Sequence, residues 1–171
     1  MLADAGKATG LLFFVVVVQL SIMANVDIFG GHPNLLLVSL LCVALLRGAI
    51  FGAVAGFSAG LLADTGVFGT LGFTALLLTL AGYWTGRYGE TTGRDRAHAP
   101  VLSVAVITLL YQTAAIVLRF ILGEPAPASR IFGGLAPTIV LNLILTVPVY
   151  ALTRRLLHPR EWISREVRLL G

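Results

Sequence analysis

The sequence predicts an all-α, polytopic integral membrane protein with about six transmembrane helices. Three observations carry that expectation. Hydrophobic residues fill 57% of the 171 positions and charged residues only 12%, about half the ~25% charge of a soluble domain. A single soluble core of this size could not hide so much apolar surface, so lipid must be the solvent for most side chains. Apolar segments recur along the whole chain, and the basic residues gather between them, as membrane topology requires.

The first segment covers 9–28 and ends at Gly30, Gly31 and Pro33. Its core at 11–18 has the length of a signal-peptide core. No small-x-small cleavage site follows it and more apolar segments do, so a retained helix is expected. The second, 34–46, would reach only about 20 Å at the helical rise. The third, 49–63, starts directly after Arg47 and Gly48. Fusing these two would leave Arg47 in mid-span, at a cost of about 2.5–3.5 kcal/mol on insertion scales. Two short helices meeting at a tight hairpin about Arg47 and Gly48 are expected instead. The fourth, fifth and sixth segments cover 68–87, 101–122 and 135–157, so 1–158 forms one six-helix transmembrane domain.

The remaining 159–171 reads differently. Trp162, Ile163, Val167 and Leu170 fall at helical spacing opposite Arg160, Arg165 and Arg168, and Pro159 suits a first-turn position. This pattern predicts an amphipathic tail lying on the cytoplasmic membrane surface.

The charges orient the six spans. With the N-terminus inside, the cytoplasmic segments hold Lys7, Arg47, Arg87, Arg94, Arg96, Arg154, Arg155, Arg160, Arg165 and Arg168, leaving only Arg119 and Arg130 outside. Both termini are therefore expected in the cytoplasm. The net charge of +4 serves topology in this reading and does not indicate nucleic acid. The lone Cys42 lies in an apolar run, where it reads as a small buried hydrophobe. One cysteine permits no intrachain disulfide.

The most informative motif is a glycine stripe. Gly48, Gly52, Gly56 and Gly60 recur every fourth residue, Asp64 extends the series, and Gly82 and Gly86 repeat the spacing in the fourth segment. Residues four apart lie nearly above one another on a helix, so one face is almost bare backbone and a neighbouring helix can approach closely. A neighbour in the same chain is expected ahead of one in a partner, and a homo-oligomer is left open. Asp64 reads as the head of a turn, Asp64-Thr65-Gly66, near the outer interface. There it could hydrogen-bond backbone amides or cap the next helix; the other possibility is a polar contact for a partner.

Gln19, Asn25, Tyr111, Gln112, Arg119 and Asn142 are polar groups on separate segments. They could line a solute cavity, though such groups are more often interhelical hydrogen-bond partners. Asp27, at the outer end of the first segment, reads as interfacial. His32, His98 and His158 fall in loops or at helix ends without a second histidine at ligand spacing. No nucleophile elbow, P-loop or HExxH sequence is present. Neither enzymatic activity nor a cofactor or metal site is expected.

The stretch 56–64, Gly-Phe-Ser-Ala-Gly-Leu-Leu-Ala-Asp, followed by Phe68-Gly69-Thr70-Leu71-Gly72-Phe73 and then Gly82-Tyr83, resembles the signature of the rod shape-determining protein MreD family. Pro33-Asn34-Leu35-Leu36-Leu37 and Leu46-Arg47-Gly48 carry the same resemblance. Thr70 stands where the family often has proline. The resemblance implies a non-enzymatic scaffold or regulator of bacterial cell elongation and lateral peptidoglycan synthesis. It also implies residence in the inner membrane with an MreC-like partner and other elongation-complex proteins, near MreB. Asp64, Gly69 and Gly72 then become candidate partner-binding residues. The family is similar in helix arrangement to the substrate-binding subunits of energy-coupling-factor vitamin transporters. That likeness supplies the rival expectation, a small-molecule-binding transporter subunit. Against it, the branched face of 11–23 offers no small-residue surface for docking on a coupling subunit.

Overall fold

A computed structural model describes residues 2–21, 31–67, 70–92, 99–123 and 128–157. The described residues contain six helices: α1 (Leu2–Ser21), α2 (Leu35–Arg47), α3 (Ala49–Val67), α4 (Phe73–Thr92), α5 (Ala99–Ile121) and α6 (Ala128–Leu156). The tail at 159–171 lies outside the described residues, as do Asn25, Asp27, Gly69, His98 and His158.

α2 is the axis of the fold. Every residue from Leu36 to Leu46 is buried, and the helix packs against all five others. The remaining helices surround it in the order α1, α3, α4, α5, α6, each touching the next along that series. A helix apolar on every side belongs in the interior, and the α2 sequence LLLVSLLCVALLR offers no polar face to solvent. Lipid tails are as apolar as leucine, so this burial gains van der Waals contact and little hydrophobic free energy.

Three helices are long and apolar enough to cross a membrane by themselves: Ala49–Gly66 of α3, Pro100–Ile121 of α5 and Gly134–Leu156 of α6. The apolar parts of α1 and α2, Gly6–Ser21 and Leu35–Arg47, are shorter. α4 is less apolar because one side of it is spent on α3, with glycine and alanine there, and its C-terminal end carries Arg87 and Glu90. The architecture is thus a six-helix bundle with three helices of spanning length and composition, and not six equivalent spans.

α2 and α3 are separate helices. Gly48 breaks them at φ 99°, and its N–H donates to Ala44 O at 2.7 Å. The positive φ would strain any side chain other than glycine. Several helix ends differ from the hydropathy segments: α1 begins at Leu2, α6 at Ala128, and α3 continues past Asp64 to Val67. Hydropathy marks the apolar part of a helix, whereas backbone hydrogen bonding continues until a cap or a break stops it.

Candidate functional site

The closest helix contact in the fold is the antiparallel α3–α4 pair, and the glycine stripe forms it. Gly52 and Gly82 face each other backbone to backbone; a Cβ added to Gly52 would meet Gly82 O and lie 2.7 Å from Ala44 Cβ. One turn further, a Cβ on Gly56 would meet Leu78 O, with Leu78 C at 2.7 Å. Beyond that, a Cβ on Gly60 would come to 2.7 Å from Ala75 N. Gly86 faces the Gly48–Ala49 junction, and a Cβ added to Gly89 would lie 2.7 Å from Leu45 O of α2. The stripe therefore packs within the chain, and Gly89, which spacing alone did not single out, makes a similar close approach to α2.

The series ends in a carboxylate that reaches across to α4. Asp64 is helical, so the turn expected at 64–66 is replaced by one at 70–72. Its Oδ2 accepts from Gly72 N–H at 2.9 Å and Ala75 N–H at 3.2 Å, and its Oδ1 accepts from Thr74 N–H at 3.0 Å. These are amides at the start of α4, left without intrahelical acceptors and carrying the positive end of the helix dipole. Asp64 is only 5% exposed, and both of its oxygens are engaged inside the chain. Gly72 adopts φ 90° and leads the chain into α4.

The opposite end mirrors this arrangement. Glu90, near the C-terminus of α4, accepts from Ala49 N–H at 2.9 Å, at the start of α3. Arg87 lies 3.6 Å from its other oxygen. Each helix of the pair is thus capped by a carboxylate from the far end of its partner. A carboxylate near its own helix C-terminus is unfavourable, and antiparallel packing turns that placement to use. Sequence spacing had no means of finding Glu90, because its acceptor role spans 41 residues.

A second polar cluster surrounds the start of α2. Asn34 caps the helix by accepting from Leu37 N–H at 2.9 Å. Gln19 Oε1 of α1 accepts from Leu35 N–H at 2.8 Å and Leu36 N–H at 3.3 Å, and Gln19 Nε2 donates to Pro33 O at 3.4 Å. Asn142 of α6 accepts from Asn34 N–H at 2.9 Å and donates to Thr108 Oγ1 of α5 at 3.3 Å. His32 N–H donates to Thr138 Oγ1 at 3.2 Å. Gln19, Asn34 and Asn142, from three helices, satisfy the amides of a helix start that lies inside the bundle, where an unsatisfied N–H costs several kcal/mol. On α6, Thr138, Asn142, Thr146 and Thr153 are all buried; Thr146 and Thr153 donate to carbonyls four residues back, Asn142 O and Val149 O.

At the Arg47 end, Arg47 lies 6.0 Å above the Phe51 ring. Beside it, Ala8, Val43 and Leu157 form a small apolar cluster with Leu11 and Phe51, drawing the N-terminal part of α1 and the C-terminal part of α6 together. Lys7, Arg154 and Arg155 are exposed there. At the other end, Arg119 sits 5.6 Å from the Phe73 ring centroid. The described basic side chains are therefore concentrated at one end of the bundle.

No curated protein and no solved structure matches the chain, so the expected likeness to vitamin-transporter subunits gains no support. A family model does match, that of the rod shape-determining protein MreD, over residues 8–159. The match covers α2 to α6 in full and α1 from residue 8, including the α3–α4 pair with its glycine stripe and both capping carboxylates. On that coverage the chain belongs to the MreD family of membrane proteins, whose role is the determination of rod shape.

Proposed function

We propose that the protein is a non-enzymatic scaffold or regulator of the cell-elongation machinery, acting with an MreC-like partner in the bacterial inner membrane. In this reading the chain crosses the membrane six times and both termini face the cytoplasm. The observation that carries the proposal is the use made of the polar residues: Gln19, Asn34 and Asn142 bond the backbone at the start of α2, Thr108 accepts from Asn142, and Thr138 accepts from His32 N–H just before it. Such a bundle is held rigid, as a protein that positions others requires. The vitamin-binding alternative finds no support in these contacts, because a solute site needs convergent polar groups left available to the ligand.

The docking region assigned here is the outer α3–α4 connection, with Gly69 and Gly72 in it. Asp64 shapes this connection from beneath, and Leu71 is 68% exposed on it. Affinity purification from native membranes, with the co-purifying proteins identified, tests the proposal. Recovery of an MreC-like protein and elongation enzymes supports the scaffold; recovery of an ATPase with a coupling subunit refutes it. Topology is tested with reporters. A fusion after Ala97 should read as cytoplasmic and one after Pro127 as external, and the reverse result overturns the six-span arrangement.

A further inference from the structure

Arg119 is a cation that the described residues leave exposed and without a counter-charge. It stands in the last turn of α5, with its guanidinium 5.6 Å from the Phe73 ring centroid at the start of α4. The end of α5 closes without its help. Leu122 N–H donates to Leu118 O at 3.0 Å, and Gly123, at φ 77°, donates its N–H to Phe120 O at 3.1 Å. Among the described residues, Arg119 makes no ion pair. Asp64, the described acid at the same end of the bundle, is buried, and both of its oxygens are spent on amides at the start of α4.

The side chains around this charge are apolar and uncovered: Leu71 is 68% exposed, Phe120 74% and Ile121 71%. The Arg119–Phe73 contact brings the end of α5 beside the connection that leads into α4, so these residues border the docking region proposed there. Resting on a ring face leaves the edges of a guanidinium free, and its donors form a planar fork that matches a carboxylate in two parallel hydrogen bonds. A partner that covered Leu71 and Phe120 with apolar groups alone would bury that charge unpaired, at a large cost. Whatever docks here must bring an anion.

We propose that this surface receives an apolar segment of the partner protein carrying one aspartate or glutamate. Its carboxylate pairs with Arg119 while its apolar side chains cover Leu71, Phe120 and Ile121. The inference rests on the docking reading and names the chemistry that reading demands.

The complex is purified from native membranes through a tag on this chain, and the retained MreC-like partner is quantified. Arg119→Gln should retain about three- to tenfold less partner, and Arg119→Glu less again, because like charges then face each other. Arg119→Gln keeps the test valid where Arg119→Glu does not fold. Phe73→Leu, which removes the ring beneath the guanidinium, should cause a smaller loss. Replacing Phe120 by the photo-cross-linker benzoylphenylalanine should join the chain to a partner segment that contains an acid. Exchanging that acid for arginine should restore binding to Arg119→Glu and weaken binding to the unsubstituted chain. Retention unchanged in both Arg119 variants overturns the inference and leaves the docking region standing, whereas absence of the partner from the unsubstituted preparation overturns both. An equal loss in Glu124→Gln or Asp27→Asn overturns it by placing the acid in this chain. A cross-link to phospholipid alone overturns it by making a lipid phosphate the counter-ion.

Discussion

Removing the Asp64 carboxylate should release the end of the α3–α4 pair where α4 begins. In Asp64→Ala, the N–H groups of Gly72, Thr74 and Ala75 lose their acceptor together. Hydrogen bonds to a charged group contribute about 1.5–3 kcal/mol each, and a buried group left unsatisfied costs about 1–3 kcal/mol. These terms do not add in full, because one carboxylate serves all three and only the Ala75 bond is fully buried. A net loss of about 3–5 kcal/mol follows. Glu90→Ala is the internal comparison: it removes the acceptor of a single amide, that of Ala49, and an ordinary helix cap is worth about 1 kcal/mol. For a chain of this length each kcal/mol moves the melting temperature by roughly 2–4 °C. Thermal unfolding of the purified protein in detergent should therefore fall by about 10 °C for Asp64→Ala and about 3 °C for Glu90→Ala. If Asp64→Ala melts no lower than Glu90→Ala, the reading of Asp64 as the cap of α4 is wrong.

Gly56→Ala and Gly10→Ala should act in opposite directions. The first forces a methyl group onto Leu78 backbone and should cost about 1–3 kcal/mol, whereas Gly10 has nothing within 4 Å of an added Cβ and should gain up to about 1 kcal/mol in helix propensity; melting temperatures of the two variants decide the point. Asn142→Leu removes the acceptor of Asn34 N–H and should destabilise by about 1–2 kcal/mol, with Thr108→Val milder because the N–H then keeps its acceptor; equal effects would contradict the proposed division of roles. Co-purification with the MreC-like partner should weaken severalfold in Asp64→Ala and in Gly56→Leu; complex formation undiminished in stably folded variants would remove the α3–α4 connection as the docking region.

Some of this structure was legible in the sequence and some was not, for physical reasons. A four-residue glycine period has one structural meaning on a helix, so the bare face of α3 could be read directly, as could the break at Gly48 beside Arg47. The neighbour of that face could not be read, because bare backbone accepts any partner; only the fold puts α4 there. Asp64 was recognisable as a group that must be engaged, yet its turn was misplaced. An aspartate can remain helical when its carboxylate is occupied elsewhere, and the amides that occupy it belong to the following helix. Gln19 and Asn142 stood out as polar residues in apolar runs, but their joint target, the start of α2, was invisible. Thr138, Thr146 and Thr153 drew no notice among many hydroxyls, although together with Asn142 they line the buried face of α6.

The way α2 begins has a consequence for biosynthesis. A chain emerging from the ribosome folds from its N-terminal end, and Gln19 and Asn34 are present early to satisfy Leu35, Leu36 and Leu37. The acceptor for Asn34 N–H is Asn142, 108 residues later. The central helix is therefore made second but completed last, when α6 arrives. Until then its N-terminal end keeps an amide without its native acceptor, so a nascent chain stalled before α6 would remain open at its centre.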